Sequence, residues 1–246
     1  MSTWKGSGGY LSTEIAVIDG STGMQRSFED YYKITTGLAA SFKFELGLDE
    51  ASTLCLFAPN HVDYLPVTVA VGLCGAKIAP VNPLYKANEL EIILDKSHSS
   101  ILVAHVNTLE VALEAAKNSR YVKHVVVMTQ DTKDSSTPEG VIDLNSIKEH
   151  KKAFQETIRT HHHDTKFHPF LLPYSSGTTG LPKGVCLTHA NMTANLLQCE
   201  EVETLGFAPV SSHGFHSSNI TMVLPHYQTA LRSHLSQNVI SGLIGS

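Results

Sequence analysis

Positive charge is in short supply: 18 Lys and Arg against 23 Asp and Glu leave the chain at −5, with no basic footprint for a nucleic-acid backbone. Long apolar runs are missing too. A membrane-spanning helix needs about eighteen or more consecutive apolar residues, and the most hydrophobic segment, Val62 to Val81, is interrupted by Asp63, Pro66 and Lys77. The opening MSTWKGSGGYLS lacks the apolar core of a secretory leader, and no peroxisomal tripeptide closes the chain, so a cytoplasmic location is expected. Cysteine is scarce. Cys55, Cys74, Cys186 and Cys199 stand singly in apolar surroundings without C-x-x-C spacing, which argues for buried free thiols over a zinc site or redox pair. The serine-hydrolase pattern G-x-S-x-G and the zinc-protease pattern H-E-x-x-H are both absent. Two sequons, at Asn191 and Asn219, are expected to stay unmodified, because no secretory routing is expected.

What is present is the composition of a folded domain: 246 residues, 42% of them hydrophobic, are enough for one large core or two small ones. Strand-length apolar runs alternate with segments of helical period. Strands are expected at Ile15 to Ile18, Thr53 to Ala58, Lys77 to Pro80, Ile101 to Ala104 and His124 to Met128. Between them, Ser27-x-x-Asp30 reads as a cap opening a helix that buries Tyr31, Leu38 and Phe42. A buried helix follows Val62 and gives way to strand at Gly75-Ala76; a helix at Ala87 to Ser97 buries Leu90, Ile93 and Leu94, and another covers Thr108 to Ser119. Such βαβα order predicts an α/β fold, a mostly parallel sheet flanked by helices.

Gln130 to Gly140 breaks the rhythm as a polar loop, before a strand at Val141 to Leu144 and a helix around Ile147 to Ile158. His161, His162 and His163, with Asp164 and His168, read as a polar connection, because adjacent histidines on a regular element cannot all face one ion. A strand at Phe170 to Tyr174 then enters the segment YSSGTTGLPKGV, Tyr174 to Val185, and a strand at Gly184 to Leu187 leaves it.

That segment has the composition of a phosphate-holding loop. Gly177, Gly180 and Gly184 free the backbone for positive φ and converging N–H groups, Ser176, Thr178 and Thr179 add hydroxyl donors, and Lys183 supplies compensating charge. For an isolated S-x-G-T-x-G an ordinary turn between strands is an equal alternative, and Ser175 reads equally well as a strand residue. The loop is not a Walker A loop, since Pro182 precedes Lys183 and Gly184 follows it. Nor does it fit G-x-G-x-x-G, because no glycine lies between Gly177 and Gly180.

The whole segment, with its continuation Leu187-Thr188-His189-Ala190-Asn191, resembles the signature loop of the adenylate-forming acyl- and aryl-CoA synthetases, the superfamily of 4-coumarate:CoA ligases, fatty acyl-CoA synthetases and beetle luciferases. Val81-Asn82-Pro83-Leu84-Tyr85 followed by Glu89-Leu90 is similar to a second family segment, and Ile18-Asp19-Gly20 and Phe28 fit the pattern. The resemblance implies the incomplete N-terminal part of an adenylate-forming large domain over residues 1–203. It also implies the chemistry: a carboxylate attacks the α-phosphate of ATP with magnesium present, and coenzyme A takes the acyl group from the adenylate. Ser176, Gly177, Thr178, Thr179, Gly180 and Lys183 would bind the nucleotide phosphates, and an aromatic or fatty acid would be the substrate.

The family's Y-G-x-T-E and T-G-D segments and its C-terminal lysine find no counterpart, so no catalytic residue and no metal ligand is assigned. Leu224-Pro225 is similar to the start of L-P-x-x-H-x-x-G, yet Gln228 and Leu231 replace its histidine and glycine. Residues 204–246 are therefore expected to be an atypical tail, mis-spliced or frame-shifted. Two functions follow as alternatives: a piece of an acid:CoA ligase that is inactive by itself, or a non-catalytic nucleotide-binding or interaction fragment.

Overall fold

The computed structural model describes residues 15–20, 23–129, 137–148, 164–175 and 182–204. The described residues fall into two compact units, one holding residues 15–20, 23–32, 164–169 and 187–204, the other residues 33–129, 137–148, 170–175 and 182–186.

The larger unit is built on parallel strands. β3 (Thr53–Phe57) lies at the centre, with β4 (Lys77–Val81) on one side and β5 (Ser99–His105) on the other. β6 (His124–Met128) and β7 (Val141–Asp143) extend the β5 side, and β8 (Pro169–Leu171) pairs with β4 through Ile78 and Leu171. The order β8-β4-β3-β5-β6-β7 is thus parallel at every pairing. All five residues of β3 are buried. A strand buried along its whole length and apolar from Leu54 to Phe57 belongs inside a sheet covered on both faces.

Four helices supply most of the cover. α1 (Phe28–Phe44) buries Leu38, Ala39, Ala40 and Phe42, and α2 (Tyr64–Leu73) buries Pro66, Val67, Ala70 and Val71. α3 (Ala87–Ser97) turns Leu90, Ile93 and Leu94 into one core cluster with Ala112 and Ala115 of α4 (Leu109–Asn118), beneath Phe57 and Leu102. Full burial of each leucine or isoleucine there contributes roughly 1.5–3 kcal/mol. Alanine on α4 permits close approach to α3. The transition from α2 to β4 falls at Gly75, whose φ of 71° is open to glycine at little steric cost.

In the smaller unit β1 (Ile15–Ile18) pairs antiparallel with β2 (Gln25–Ser27), a strand without a clear periodic signal in three residues. The expected cap is present: Asp30 Oδ2 accepts from Ser27 N at 2.9 Å and from Ser27 Oγ at 2.8 Å, while Asp30 N donates to Ser27 Oγ at 3.1 Å. The same reciprocal arrangement joins Thr188 of β11 (Leu187–Thr188) to Asn191, which occupies the Asn191 side chain as a cap opening α6 (His189–Thr204). Asp164 closes the turn before His168, and the rings of His168 and His189 stack at 5.5 Å. His161 to His163 lie outside the described residues.

Several boundaries differ from expectation. Leu144 is not a strand residue: Asp143 Oδ1 accepts from Asn145 N at 3.0 Å, capping the short helix α5 (Leu144–Ile147), and Leu144 is buried as its first residue. Most of the helix expected around Ile147 to Ile158 falls on residues 149–158, which lie outside those described. Cys55 and Cys74 are buried thiols as expected, but Cys186 is exposed. It lies on the short connection to β11, where no core covers it.

Candidate functional site

The strands flanking the glycine-rich segment are shorter than the apolar pattern predicts. After β8, Leu172 N still donates to Ile78 O at 2.8 Å, but Pro173 has no N–H with which to extend the ladder. Pairing resumes in β9 (Tyr174–Ser175), which is antiparallel to β10 (Lys183–Gly184). Ser175 stands opposite Lys183, and Tyr174 opposite Gly184. Ser175 is therefore a strand residue. The exit strand is likewise divided: Val185 and Cys186 separate β10 from β11, and Val185 N donates to Pro173 O at 3.0 Å.

β9 and β10 thus close the base of the candidate loop. Of the residues proposed to hold phosphate, Lys183 is described, while Ser176, Gly177, Thr178, Thr179 and Gly180 lie outside the described residues. Lys183 is exposed, and no carboxylate among the described residues pairs with its ammonium.

Gly184 has a different role from the one its composition suggests. It does not take a positive φ. Instead, a Cβ at this position would lie 2.9 Å from Cε1 and 3.1 Å from Cζ of Tyr174, so glycine is required because the phenol ring occupies the space a side chain would need. Tyr174 also packs against the core cluster containing Leu90, Ile93 and Leu94. Burial, and then the neighbouring Cys55, push its phenol pKa up.

A residue that sequence reasoning missed completes this base. Lys96, in the last turn of α3, donates from Nζ to the carbonyl of Pro182 at 3.0 Å. The segment Val81 to Leu90 sets up that helix. Asn82 Oδ1 accepts from Leu84 N at 3.0 Å, Tyr85 N donates to Asn82 O at 3.1 Å, and Glu89 Oε2 accepts from Lys86 N at 2.9 Å. These bonds make a turn and a helix cap, and they start the helix that carries Lys96.

A second polar group lies beyond the carboxyl ends of the parallel strands. Lys148 Nζ donates to Asp63 Oδ2 at 2.6 Å and to Asn145 Oδ1 at 2.7 Å, and Asn145 Nδ2 donates to Thr129 Oγ1 at 2.8 Å. Asp63 is 1% and Lys148 7% exposed, so each charge depends on the other. His61 and His105 lie alongside each other, ring centroids 5.6 Å apart. His105 is held below the ordinary imidazole value by burial and then by His61. Among the described residues no group of three or more His, Cys, Asp or Glu side chains could hold a metal ion, and no helix is long and apolar enough to cross a membrane.

The AMP-binding enzyme family matches residues 11–232. The chain belongs to that family. The match extends beyond Glu203, where the recognisable motifs thin out. A 4-coumarate–CoA ligase of Pinus taeda is 30% identical over 210 residues, which cover 85% of this chain and 36% of the relative. 4-Coumarate–CoA ligase 1 of Arabidopsis thaliana is 26% identical, over 88% of this chain and 37% of its own length. Among solved structures, a long-chain-fatty-acid-CoA ligase of Archaeoglobus fulgidus has a TM-score of 0.67 at 23% identity, covering 86% of this chain and 41% of that one. The fold is that of the AMP-binding enzymes, and the chain spans little more than a third of the length of the two 4-coumarate–CoA ligases.

Proposed function

We propose that this AMP-binding chain carries the triphosphate-holding part of an ATP-dependent acid:CoA ligase. In this reading the amides of Gly177 to Gly180, the hydroxyls of Ser176, Thr178 and Thr179 and the ammonium of Lys183 hold the β- and γ-phosphates. The observation that supports it most is the exposed, carboxylate-free Lys183 at the base of a Gly-, Ser- and Thr-rich loop closed by β9 and β10. An unpaired cation that follows a segment rich in hydroxyl and amide donors in the sequence suits an anion.

When bound, ATP supplies the α-phosphate that a carboxylate attacks and the pyrophosphate that leaves. Lys183 and the loop donors offset charge on the oxygens of that leaving group, which is where positioned electrostatics contributes most to such transfers. Magnesium with the nucleotide, coenzyme A as acyl acceptor and an aromatic or fatty carboxylic acid as substrate belong to the same proposal, on the strength of the family and the names of the relatives. The present 246 residues hold no Y-G-x-T-E or T-G-D segment to read the adenosine. By itself the chain is proposed to bind without activating acids.

Calorimetric titration with magnesium pyrophosphate and magnesium ATP, beside an assay of acid-dependent pyrophosphate release, tests this. Binding without release is expected. Absence of binding would remove the phosphate role, and release dependent on an added acid would make the chain a complete ligase.

A further inference from the structure

Lys96 and Pro182 are 86 positions apart in sequence, yet the Lys96 ammonium donates to the Pro182 carbonyl at 3.0 Å. Pro182 directly precedes Lys183. We infer that Lys96 is a positioning residue for phosphate binding: by holding the peptide unit that joins Pro182 to Lys183, it fixes where the Lys183 ammonium is presented. The inference rests on the phosphate-binding reading of the loop and adds to it a residue on another element.

Three observations carry the argument. The first is that α3 gives Lys96 a rigid mount. Leu90, Ile93, Leu94 and Ser97 of that helix are buried, and Ser97 Oγ donates to Ile93 O at 2.7 Å within the final turns. A side chain on such a helix transmits the position of the core to whatever it holds.

The second is that the neighbouring acid is already committed elsewhere. Asp95 accepts from Ser119 Oγ at 2.9 Å, from Arg120 N at 3.2 Å and from Arg120 Nε at 2.9 Å. Those bonds tie Asp95 to the end of α4, and Lys96 meets no carboxylate among the described residues. Its ammonium is left for the Pro182 carbonyl.

The third is the geometry of the other restraints on this strand. Gly184 is fixed against the Tyr174 ring, and Val185 N is bonded to Pro173 O, so both act after Lys183. Pro182 has no N–H of its own, and its carbonyl is the group through which the chain just before Lys183 can be held. Lys96 supplies that hold. Without it the chain is held only from the Lys183–Ser175 pairing onward, and the peptide unit before Lys183 samples a wider range of positions, which weakens an interaction that depends on placement.

The test is calorimetric titration of the full chain with magnesium pyrophosphate, for the wild type, Lys96→Met, Lys183→Ala and the double variant. Lys96→Met is expected to weaken binding about tenfold, the scale of one hydrogen bond from a charged donor. Adding Lys96→Met to Lys183→Ala is expected to change affinity by less than about twofold, because a positioning residue has nothing left to position. Lys96→Arg, which keeps charge and donors, is expected to retain binding within about threefold. Thermal midpoints of all variants establish that they fold. Wild-type affinity in a folded Lys96→Met, or losses that multiply in the double variant, would overturn the inference and leave the phosphate reading standing. A wild type that binds no pyrophosphate would overturn both.

Discussion

The phenol ring of Tyr174 lies where a side chain on Gly184 would have to go, 2.9 Å from the position of the missing Cβ. Tyr174 reaches inward to the core cluster while Gly184 belongs to the strand that carries Lys183. A contact between ring and bare backbone therefore couples the folded core to the candidate site.

Gly184→Ala is accordingly expected to cost about 1–3 kcal/mol of stability, the range for forcing an extra methyl into a filled space. Urea denaturation measures it. Combining it with Tyr174→Ala should give a total loss smaller than the sum of the two single losses, since the clash is removed with the ring. Additive losses would show that the ring is not the obstacle.

Lys183→Ala separates a phosphate site from a plain turn. Its exposed side chain holds little of the fold together, so stability should stay within about 0.5 kcal/mol of the wild type. Magnesium pyrophosphate affinity should fall by about 10- to 100-fold. Unchanged affinity, measured by titration calorimetry, would reduce the segment to a turn.

Removal of the Lys148 ammonium leaves the Asp63 carboxylate buried at 1% exposure without its cation. Lys148→Met is expected to destabilise by about 3–5 kcal/mol, whereas Asp63→Leu with Lys148→Met should cost clearly less. Denaturant midpoints of the single and double variants check this. A double variant as unstable as the single one would mean that the lost packing, and not the stranded charge, sets the cost.

The pH dependence has a definite sign. His105 is pushed below its ordinary value of 6.5 by burial and by His61, and its Nδ1 accepts from Asn107 N at 3.1 Å, a bond available only to the neutral ring. The unfolded chain therefore takes up the proton first as pH falls. The contribution to stability is complete above the unfolded value and is lost progressively as pH drops through the lowered folded value. Urea midpoints between about pH 8 and pH 5 should fall, and His105→Gln should flatten that fall. An unaltered slope in the variant would assign the dependence to other groups.

Sequence by itself determined the alternation of elements, because burial imposes its period locally. Leu90, Ile93 and Leu94 mark one face of α3 and Leu54 to Phe57 an unbroken apolar run without reference to any partner. It also determined the caps at Ser27 and Asp30, whose partners lie three residues apart, and the family, through the loop from Tyr174 to Val185. The tertiary structure decided whatever depends on distant residues meeting. Pro173 ends the strand that the apolar run promised, and Asp143 turns Leu144 from strand into helix. Gly184 owes its identity to a ring ten residues earlier, not to a positive φ. Lys148 reaches Asp63 across 85 positions and Lys96 reaches Pro182 across 86. A lone lysine has no period and no local partner, so its contact appears only when the fold brings the end of α3 beside Pro182.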